Sequence, residues 1–164
     1  MSILYVVPTP IGNLGDMTGR ALEVLESCDL ILAEDTRHTQ KLLNHFNIRT
    51  KMISYHKFNE KQRSEEIVQR LMNEEIKAAL VTDAGTPCIS DPGYELVREV
   101  REKGIEVIGL AGPSALTTAL SISGIETYEF AFYGFLPRKK SELDAALKRV
   151  LKNPVKTFVF YESP

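Results

Sequence analysis

The sequence has few cysteines, no long apolar run at its start and little net charge. Its 164 residues include two cysteines, Cys28 and Cys88, which lie far apart and form no CxxC pair. We therefore expect buried free thiols, as in the reducing cytoplasm, rather than a disulfide framework. The first apolar run, Ile3–Val7, is too short for a signal-peptide core or a membrane span. With a formal net charge of −2, the chain as a whole is not a polycation.

Several common cofactor motifs are also missing. No GxxxxGK[ST] sequence occurs, and no GxGxxG follows a predicted strand, so the usual cradles for polyphosphates and dinucleotides are excluded. His38 and His45 are seven residues apart on one predicted helix, and no third ligand is spaced with them. We therefore expect no metal site.

What the sequence does contain is a regular alternation of short β-branched runs and helical segments. Its 43% hydrophobic and 26% charged residues are ordinary for a globular protein with its own core. The predicted strands are Ile3–Val7, Leu30–Ala33, Lys51–Ser54, Ala79–Thr82 and Glu106–Leu110. The predicted helices between and after them are Thr18–Ser27, Arg37–Phe46, Glu60–Asn73, Tyr94–Lys103 and Ser114–Ser123. Such alternation predicts an α/β fold, with a five-stranded parallel sheet flanked by helices on both faces.

The pattern changes near residues 124–127, where we predict a domain boundary. Residues 1–126 carry a net charge of −5, whereas residues 127–164 carry +3 and five of the seven phenylalanines. The second segment holds two aromatic strand candidates, Tyr128–Phe135 and Val155–Tyr161, around a helix at Ser141–Leu151. One unit of this size cannot close a core. We therefore expect 127–164 to be the start of a second α/β domain in a longer protein.

Three loops that follow predicted strands carry glycine, proline and small polar residues. They are residues 8–16 after the first strand, 83–93 after the fourth and 111–115 after the fifth. Ligands bind outside the carboxyl ends of strands in open parallel sheets, although each loop taken singly could be a mere turn. The loops offer backbone amides, hydroxyls and the carboxylates of Asp83 and Asp91. This set suits a ligand with a ribose, a carboxylate and a positive centre, such as S-adenosylmethionine, better than a polyphosphate.

Two charged clusters are candidates for contact with a substrate. The second strand leads into Glu34-Asp35-Thr36-Arg37-His38, which is either a substrate-facing group or a helix cap with a solvated arginine. The run Arg138-Lys139-Lys140 is either a contact for a phosphate-bearing partner or a solvated loop.

Taken in order along nearly the whole chain, these motifs resemble one family, the tetrapyrrole methylase superfamily. The resemblance is to its branch that methylates the 2′-hydroxyl of a cytidine ribose in small-subunit (16S) ribosomal RNA. It is carried by residues 8–14 (PTPIGNL), 33–39 (AEDTRHT), 82–87 (TDAGTP), 89–93 (ISDPG), 112–115 (GPSA), 133–139 (YGFLPRK) and 160–164 (FYESP). The AEDTRHT and TDAGTP motifs separate this branch from members that methylate porphyrins or corrins.

The resemblance implies a class III methyltransferase with two α/β domains, which binds S-adenosylmethionine in the cleft between them and forms homodimers. It implies a cytoplasmic enzyme that acts on ribosomal RNA in the assembled small subunit. Cofactor contacts are expected at Pro10, Gly12, Asp83, Gly85, Thr86, Ser114 and Ala115. Since further cofactor-facing residues belong to the second domain, we expect the 164-residue chain alone to be inactive.

For the reaction itself, a carboxylate near the ribose hydroxyl is expected to take its proton. The candidates are Glu34 and Asp35, with Arg37 on a phosphate. Two other functions stay open at this point: a methyltransferase for a tetrapyrrole or a modified amino acid, and a nucleic-acid-binding module without catalysis.

Overall fold

The computed structural model describes residues 1–162 and contains seven strands and six α-helices within them. The strands are β1 (Ile3–Val6), β2 (Leu30–Ala33), β3 (Met52–Ser54), β4 (Lys77–Val81), β5 (Glu106–Gly109), β6 (Phe130–Phe135) and β7 (Thr157–Tyr161). The helices are α1 (Gly19–Ser27), α2 (Thr36–His45), α3 (Glu60–Asn73), α4 (Tyr94–Glu102), α5 (Ala115–Ile122) and α6 (Lys140–Val150). A short 3-10 turn, Leu14–Asp16, lies between β1 and α1.

The first five strands form one parallel sheet in the order β3-β2-β4-β1-β5. This confirms the predicted fold class. Because all five strands run the same way, the loops that follow them meet at one edge of the sheet. The order also makes β4, β1 and β5 immediate neighbours, so the three glycine-containing loops lie side by side.

Burial on both faces explains why these strands are almost purely apolar. All four residues of β2 are buried, as are the last four of β4. Along each strand the side chains alternate between two apolar clusters, one on each side of the sheet. Leu32 belongs to one cluster and Ile31 to the other, and both are fully buried.

The helices α1 and α2 begin where the sequence supplies a capping oxygen. Thr18 accepts a hydrogen bond from the Ala21 N–H at the start of α1, and Asp35 accepts one from the Arg37 N–H at the start of α2. The cap predicted for the second helix is therefore present, and it fixes the chain where β2 gives way to α2.

Both cysteines are free thiols, as expected, although only Cys28 is buried and Cys88 is half-buried. Burial raises the pKa of Cys28 and of Cys88 to about 11, so both stay protonated at neutral pH. In the part of the chain that the structure describes, no helix has the length and apolar character needed to cross a membrane.

The chain divides into two compact units, Met1–Ala115 and the residues from Leu116 onward. The first contains the five-stranded sheet. In the second, β6 and β7 pair in parallel on either side of α6 in the chain, with a register shift between Phe132 and Phe135.

Candidate functional site

The loops after β1 and β4 are held together by backbone hydrogen bonds. The Thr9 N–H donates to the Gly85 carbonyl at 2.9 Å, and the Gly85 N–H donates to the Thr9 carbonyl at 3.0 Å. The buried Thr9 hydroxyl donates to the Thr82 carbonyl at 3.0 Å. These three bonds fix the first loop against the end of the central strand.

The loop after β5 joins the same assembly by close packing. The Thr86 hydroxyl donates to the Pro113 carbonyl at 3.0 Å. A Cβ atom on Gly112 would lie 2.8 Å from the Cβ of Pro8, which is closer than real side chains approach. Glycine is therefore required at 112 for the fifth-strand loop to pack against the first-strand loop.

A pocket of about 460 Å³ opens beside these loops. Its volume is within the range of small-molecule sites. Most of the lining is apolar, and a carboxylate, an imidazole and an ammonium group stand among the apolar residues. The lining residues are Thr9, Pro10, Ile11, Gly12, Leu14, His38, Lys41, Leu42, Asp83 and Ala84.

Carboxylates connect the loop after β2 to the loop after β4. The Thr82 hydroxyl donates to Glu34 Oε2 at 2.6 Å, and the Asp35 N–H donates to Asp83 Oδ1 at 3.1 Å. Glu34 and Asp83 are half-buried. The Glu34-Asp35 pair that the sequence singled out therefore lies directly beside the carboxylate that lines the pocket.

Burial among like charges raises the pKa values of two of these carboxyl groups. The pKa of Asp91 rises to about 6, mainly because of burial and then because of the negative charges of Glu34 and Asp83. Burial likewise raises the pKa of Asp83, the charge of Glu34 adds to the shift, and the hydrogen bond from the Asp35 N–H opposes it. The half-buried carboxylates at this edge of the sheet thus form an anionic cluster, which favours the binding of a cation or a proton.

The Asp35 carboxylate differs from those of Asp83 and Asp91 because it is paired with an arginine. The Arg37 side chain donates to both oxygens of the Asp35 carboxylate, from Nε at 3.1 Å and from Nη2 at 2.7 Å. These bonds hold the pKa of Asp35 well below its usual range. The Arg37 side chain is 89% exposed, so its outer surface remains accessible to solvent and to a partner.

The structure brings most of the predicted site residues to one edge, at different depths. Pro10, Gly12 and Asp83 line the pocket. The other predicted cofactor residues lie on the adjoining loops, outside the pocket lining, and are Gly85, Thr86, Ser114 and Ala115. The residues Glu34, Asp35 and Arg37 follow β2 at the same edge. Within residues 1–162, no group of three or more His, Cys, Asp and Glu side chains is arranged to hold a metal ion.

Comparison with known proteins identifies the family to which the chain belongs. Residues 3–164 match the model of the family described as Tetrapyrrole (Corrin/Porphyrin) Methylases. The chain belongs to this family. It is 54% identical to the Ribosomal RNA small subunit methyltransferase I of Vibrio cholerae, over 99% of the chain and 56% of that protein. The equivalents from Escherichia coli O157:H7 and Thermotoga maritima are 52% and 50% identical, over 98% and 100% of the chain and 55% and 72% of those proteins.

The chain therefore spans little more than half the length of the Vibrio cholerae and Escherichia coli relatives. Solved structures agree with the family on the fold. A uroporphyrin-III-C-methyltransferase from Thermus thermophilus is similar with a TM-score of 0.61 at 20% identity, over 92% of the chain and 73% of that structure. A diphthine synthase is similar with a TM-score of 0.63 at 15% identity, over 92% of the chain and 61% of that structure.

Tetrapyrrole methylases and the ribosomal RNA methyltransferase relatives depend on S-adenosylmethionine, which confirms the predicted cofactor. The residues present in this chain fit that molecule. Asp83 offers a carboxylate to its hydroxyl, amine or sulfonium groups, and the backbone at Gly12 has open space where a side chain would stand. Ile11, Leu14 and Leu42 supply apolar surface for its uncharged parts.

The sequence analysis missed part of this candidate site. Lys41 and Leu42 line the pocket from α2, three and four residues after His38, and helical spacing from His38 would have identified both. The link from Thr82 to Glu34 spans 48 positions of sequence, and no local pattern predicts it.

Proposed function

We propose that the complete protein transfers a methyl group from S-adenosylmethionine to the 2′-hydroxyl of a cytidine ribose in 16S small-subunit ribosomal RNA. The observation that carries the proposal is the junction of four strand-end loops at one edge, where a pocket lies beside the Glu34-Asp35 pair. Identity of about half the residues with relatives named for ribosomal RNA methylation supports the substrate class.

For the cofactor, we propose contacts from Pro10, Gly12 and Asp83 in the pocket, and from the adjoining loops at Gly85, Thr86, Ser114 and Ala115. The bound cofactor supplies an electrophilic methyl group. The protein's own part is then to align the acceptor hydroxyl and to take its proton. The two domains would be residues 1–126 and a second domain that begins at 127.

Between the two candidate bases, we favour Glu34. Asp35 accepts two hydrogen bonds from the Arg37 side chain and one from its N–H, and its lowered pKa makes it a weak base. Glu34 instead accepts a hydrogen bond from the neutral Thr82 hydroxyl at 2.6 Å, whereas a guanidinium binds Asp35. Asp35 would then orient Arg37 towards an RNA phosphate.

RNA would also contact the second unit. Lys139 and Lys140 are exposed near the start of α6, and Lys139 forms a surface ion pair with Glu142 at 3.3 Å. We propose that Arg138, Lys139 and Lys140 aid docking through phosphates in the small subunit, so that activity falls as salt rises. The proposal includes a homodimer in the cytoplasm, where ribosomal subunits assemble.

The product distinguishes this function from its alternatives. Small subunits that lack the modification are incubated with the complete protein and labelled S-adenosylmethionine, and the RNA is then hydrolysed in alkali. A 2′-O-methyl group blocks cleavage at its own nucleotide, so the label is expected in an alkali-resistant dinucleotide. Label in mononucleotides would contradict ribose methylation. Transfer only to a tetrapyrrole, or no transfer despite RNA binding, would favour the two other functions.

The cofactor site is tested by Asp83→Ala in the complete protein. Loss of a charge-assisted acceptor is expected to weaken S-adenosylmethionine binding by about 1.5–3 kcal/mol in calorimetry. Asp29→Ala is a suitable control, because Asp29 is an exposed aspartate that precedes β2. It therefore lies at the opposite edge of the parallel sheet from Asp83, which follows β4. Unchanged affinity in a folded Asp83→Ala protein would remove Asp83 from the site.

A further inference from the structure

An exposed aromatic side chain follows β3 at the same edge of the sheet as the candidate site. Phe58 is 94% exposed, although it belongs to the unit whose strands are well buried. It lies on a turn between β3 and α3, four residues beyond Ser54. An isolated exposed apolar residue is ordinary on a protein surface, so the case for a function depends on the turn and on its surroundings.

The turn is held in one conformation by Asn59. The Asn59 Oδ1 atom accepts from the His56 N–H at 2.8 Å, and its Nδ2 atom donates to the Ser54 carbonyl at 3.3 Å. The Asn59 N–H donates to the His56 carbonyl at 2.9 Å, and the Phe58 N–H donates to His56 Nδ1 at 3.2 Å. The backbone that carries the exposed ring is therefore already ordered, which lowers the entropic cost of binding through it.

Several exposed cations lie on the segments that follow β2 and β3. Ala33 of β2 is in register with Ser54 of β3, so Arg37 and Phe58 each follow neighbouring strands by four residues. The exposed side chains that follow these two strands include the cations Arg37, Lys41, Lys57 and Lys61, whereas the carboxylates Glu34, Asp35, Asp83 and Asp91 are half-buried. An anionic partner could thus contact exposed cations on two neighbouring segments, one of which carries the exposed ring.

We propose that Phe58 stacks on an unpaired base of the ribosomal RNA substrate, next to the nucleotide that enters the site, while Lys57 and Arg37 contact the flanking phosphates. Unpaired bases stack on aromatic side chains, and neighbouring cations neutralise the backbone. This inference rests on the proposed RNA substrate. It adds a binding surface on the first unit that none of the motifs in the sequence marks.

Steady-state methyl transfer to small subunits by the complete protein tests the stacking. Phe58→Ala is expected to raise KM for the subunit by roughly five- to a hundredfold, the range for loss of one stacked base, with kcat and cofactor affinity little changed. Phe58→Tyr keeps the ring and is expected to restore KM. Met72→Ala is the control, because Met72 is also exposed but lies near the amino end of the sheet. Equal KM values for Phe58→Ala and Met72→Ala would overturn the proposal.

A second measurement does not depend on catalysis. The 164-residue chain contains no tryptophan, so Phe58→Trp introduces a single indole at the turn. Titration with small-subunit ribosomal RNA is expected to quench its fluorescence, whereas Met72→Trp stays unchanged. Equal responses from the two variants would overturn stacking at 58. Quenching without any methyl transfer by the unaltered complete protein would retain the stacking surface and overturn the proposed reaction, so the two failures are distinguishable.

Discussion

The two compact units of this chain use parallel strands under very different conditions. In the first, β2 and β4 have neighbours on both sides and are covered on both faces, and eight of their nine side chains belong to two apolar clusters. In the second, β6 and β7 have only each other within residues 1–162. Phe130 and Phe135 are 42% and 56% exposed there, and Val150 is the one buried apolar residue of that unit among those described.

The difference shows that an apolar strand is buried by the helices and strands that pack against it and not by its composition alone. Leu30–Ala33 and Phe130–Phe135 are about equally apolar as sequences, yet only the first is buried throughout. Parallel strands expose both faces until helices cover them. We therefore expect stability to be concentrated in the first unit, and four experiments test this contrast.

The largest effect is expected from truncation of a leucine in the first unit. Leu32 is fully buried in β2, and Leu32→Ala should lower the free energy of unfolding by about 2–5 kcal/mol, because the substitution leaves a cavity. Leu151→Ala is the matched change in the second unit, where the side chain is 81% exposed, and should cost less than about 0.5 kcal/mol. Urea denaturation of both variants measures the two losses in free energy of unfolding. Similar losses would contradict the concentration of stability in the first unit.

A glycine of the first unit gives the next effect. Gly93 has a φ of +132°, and a Cβ atom there would lie 2.6 Å from Leu80 Cδ2 and 2.7 Å from Cys88 Sγ. Gly93→Ala should destabilise by about 2–4 kcal/mol through overpacking and backbone strain. Gly104→Ala, with a φ of +72° and no atom within 4 Å, separates strain from packing and should cost about 1 kcal/mol. Equal thermal shifts would show that packing at 93 contributes nothing.

Because its strands are incompletely covered, the second unit should self-associate weakly. Unpaired strand edges and exposed aromatic rings favour contact with another copy, so the 164-residue chain is expected to dimerise at high micromolar concentration. Phe135→Lys places a charge on that surface and should shift the chain towards monomer in light scattering. A monomeric unaltered chain at the same concentration would contradict the argument from exposed edges.

The smallest effect concerns pH and the first unit's carboxylates. Because the pKa of Asp91 is raised to about 6, the folded chain holds a proton between about pH 4 and 6 that the unfolded chain has lost. Stability should therefore fall as pH rises through that interval. Asp91→Asn removes this fall and should gain about 1 kcal/mol at pH 7, since partial exposure screens the charges, with little gain at pH 4. Thermal unfolding across pH measures it, and a gain that does not vary with pH would point to another cause.

Much of the site was predictable because its residues are adjacent in sequence to strand ends. A parallel sheet brings the carboxyl ends of its strands to one edge whatever their order, so the loops at 8–16 and 83–93 and the Glu34-Asp35 pair could be assigned to that edge from the sequence. The roles of Glu34 and Asp35 could not be separated in this way. Their difference comes from Arg37, which binds Asp35, and from Thr82, which binds Glu34.

By itself, the sequence determined the kind of fold, the strand-end motifs and the family. These depend on local periodicity, turn residues and runs of neighbouring positions, which a single chain displays directly. Only the tertiary structure decided which strands are adjacent, that Gly112 must admit Pro8, and that the turn at Phe58 follows the strand beside Arg37. The physical reason is that such contacts join residues far apart in the chain, and their energies depend on distances that exist only after the sheet has formed.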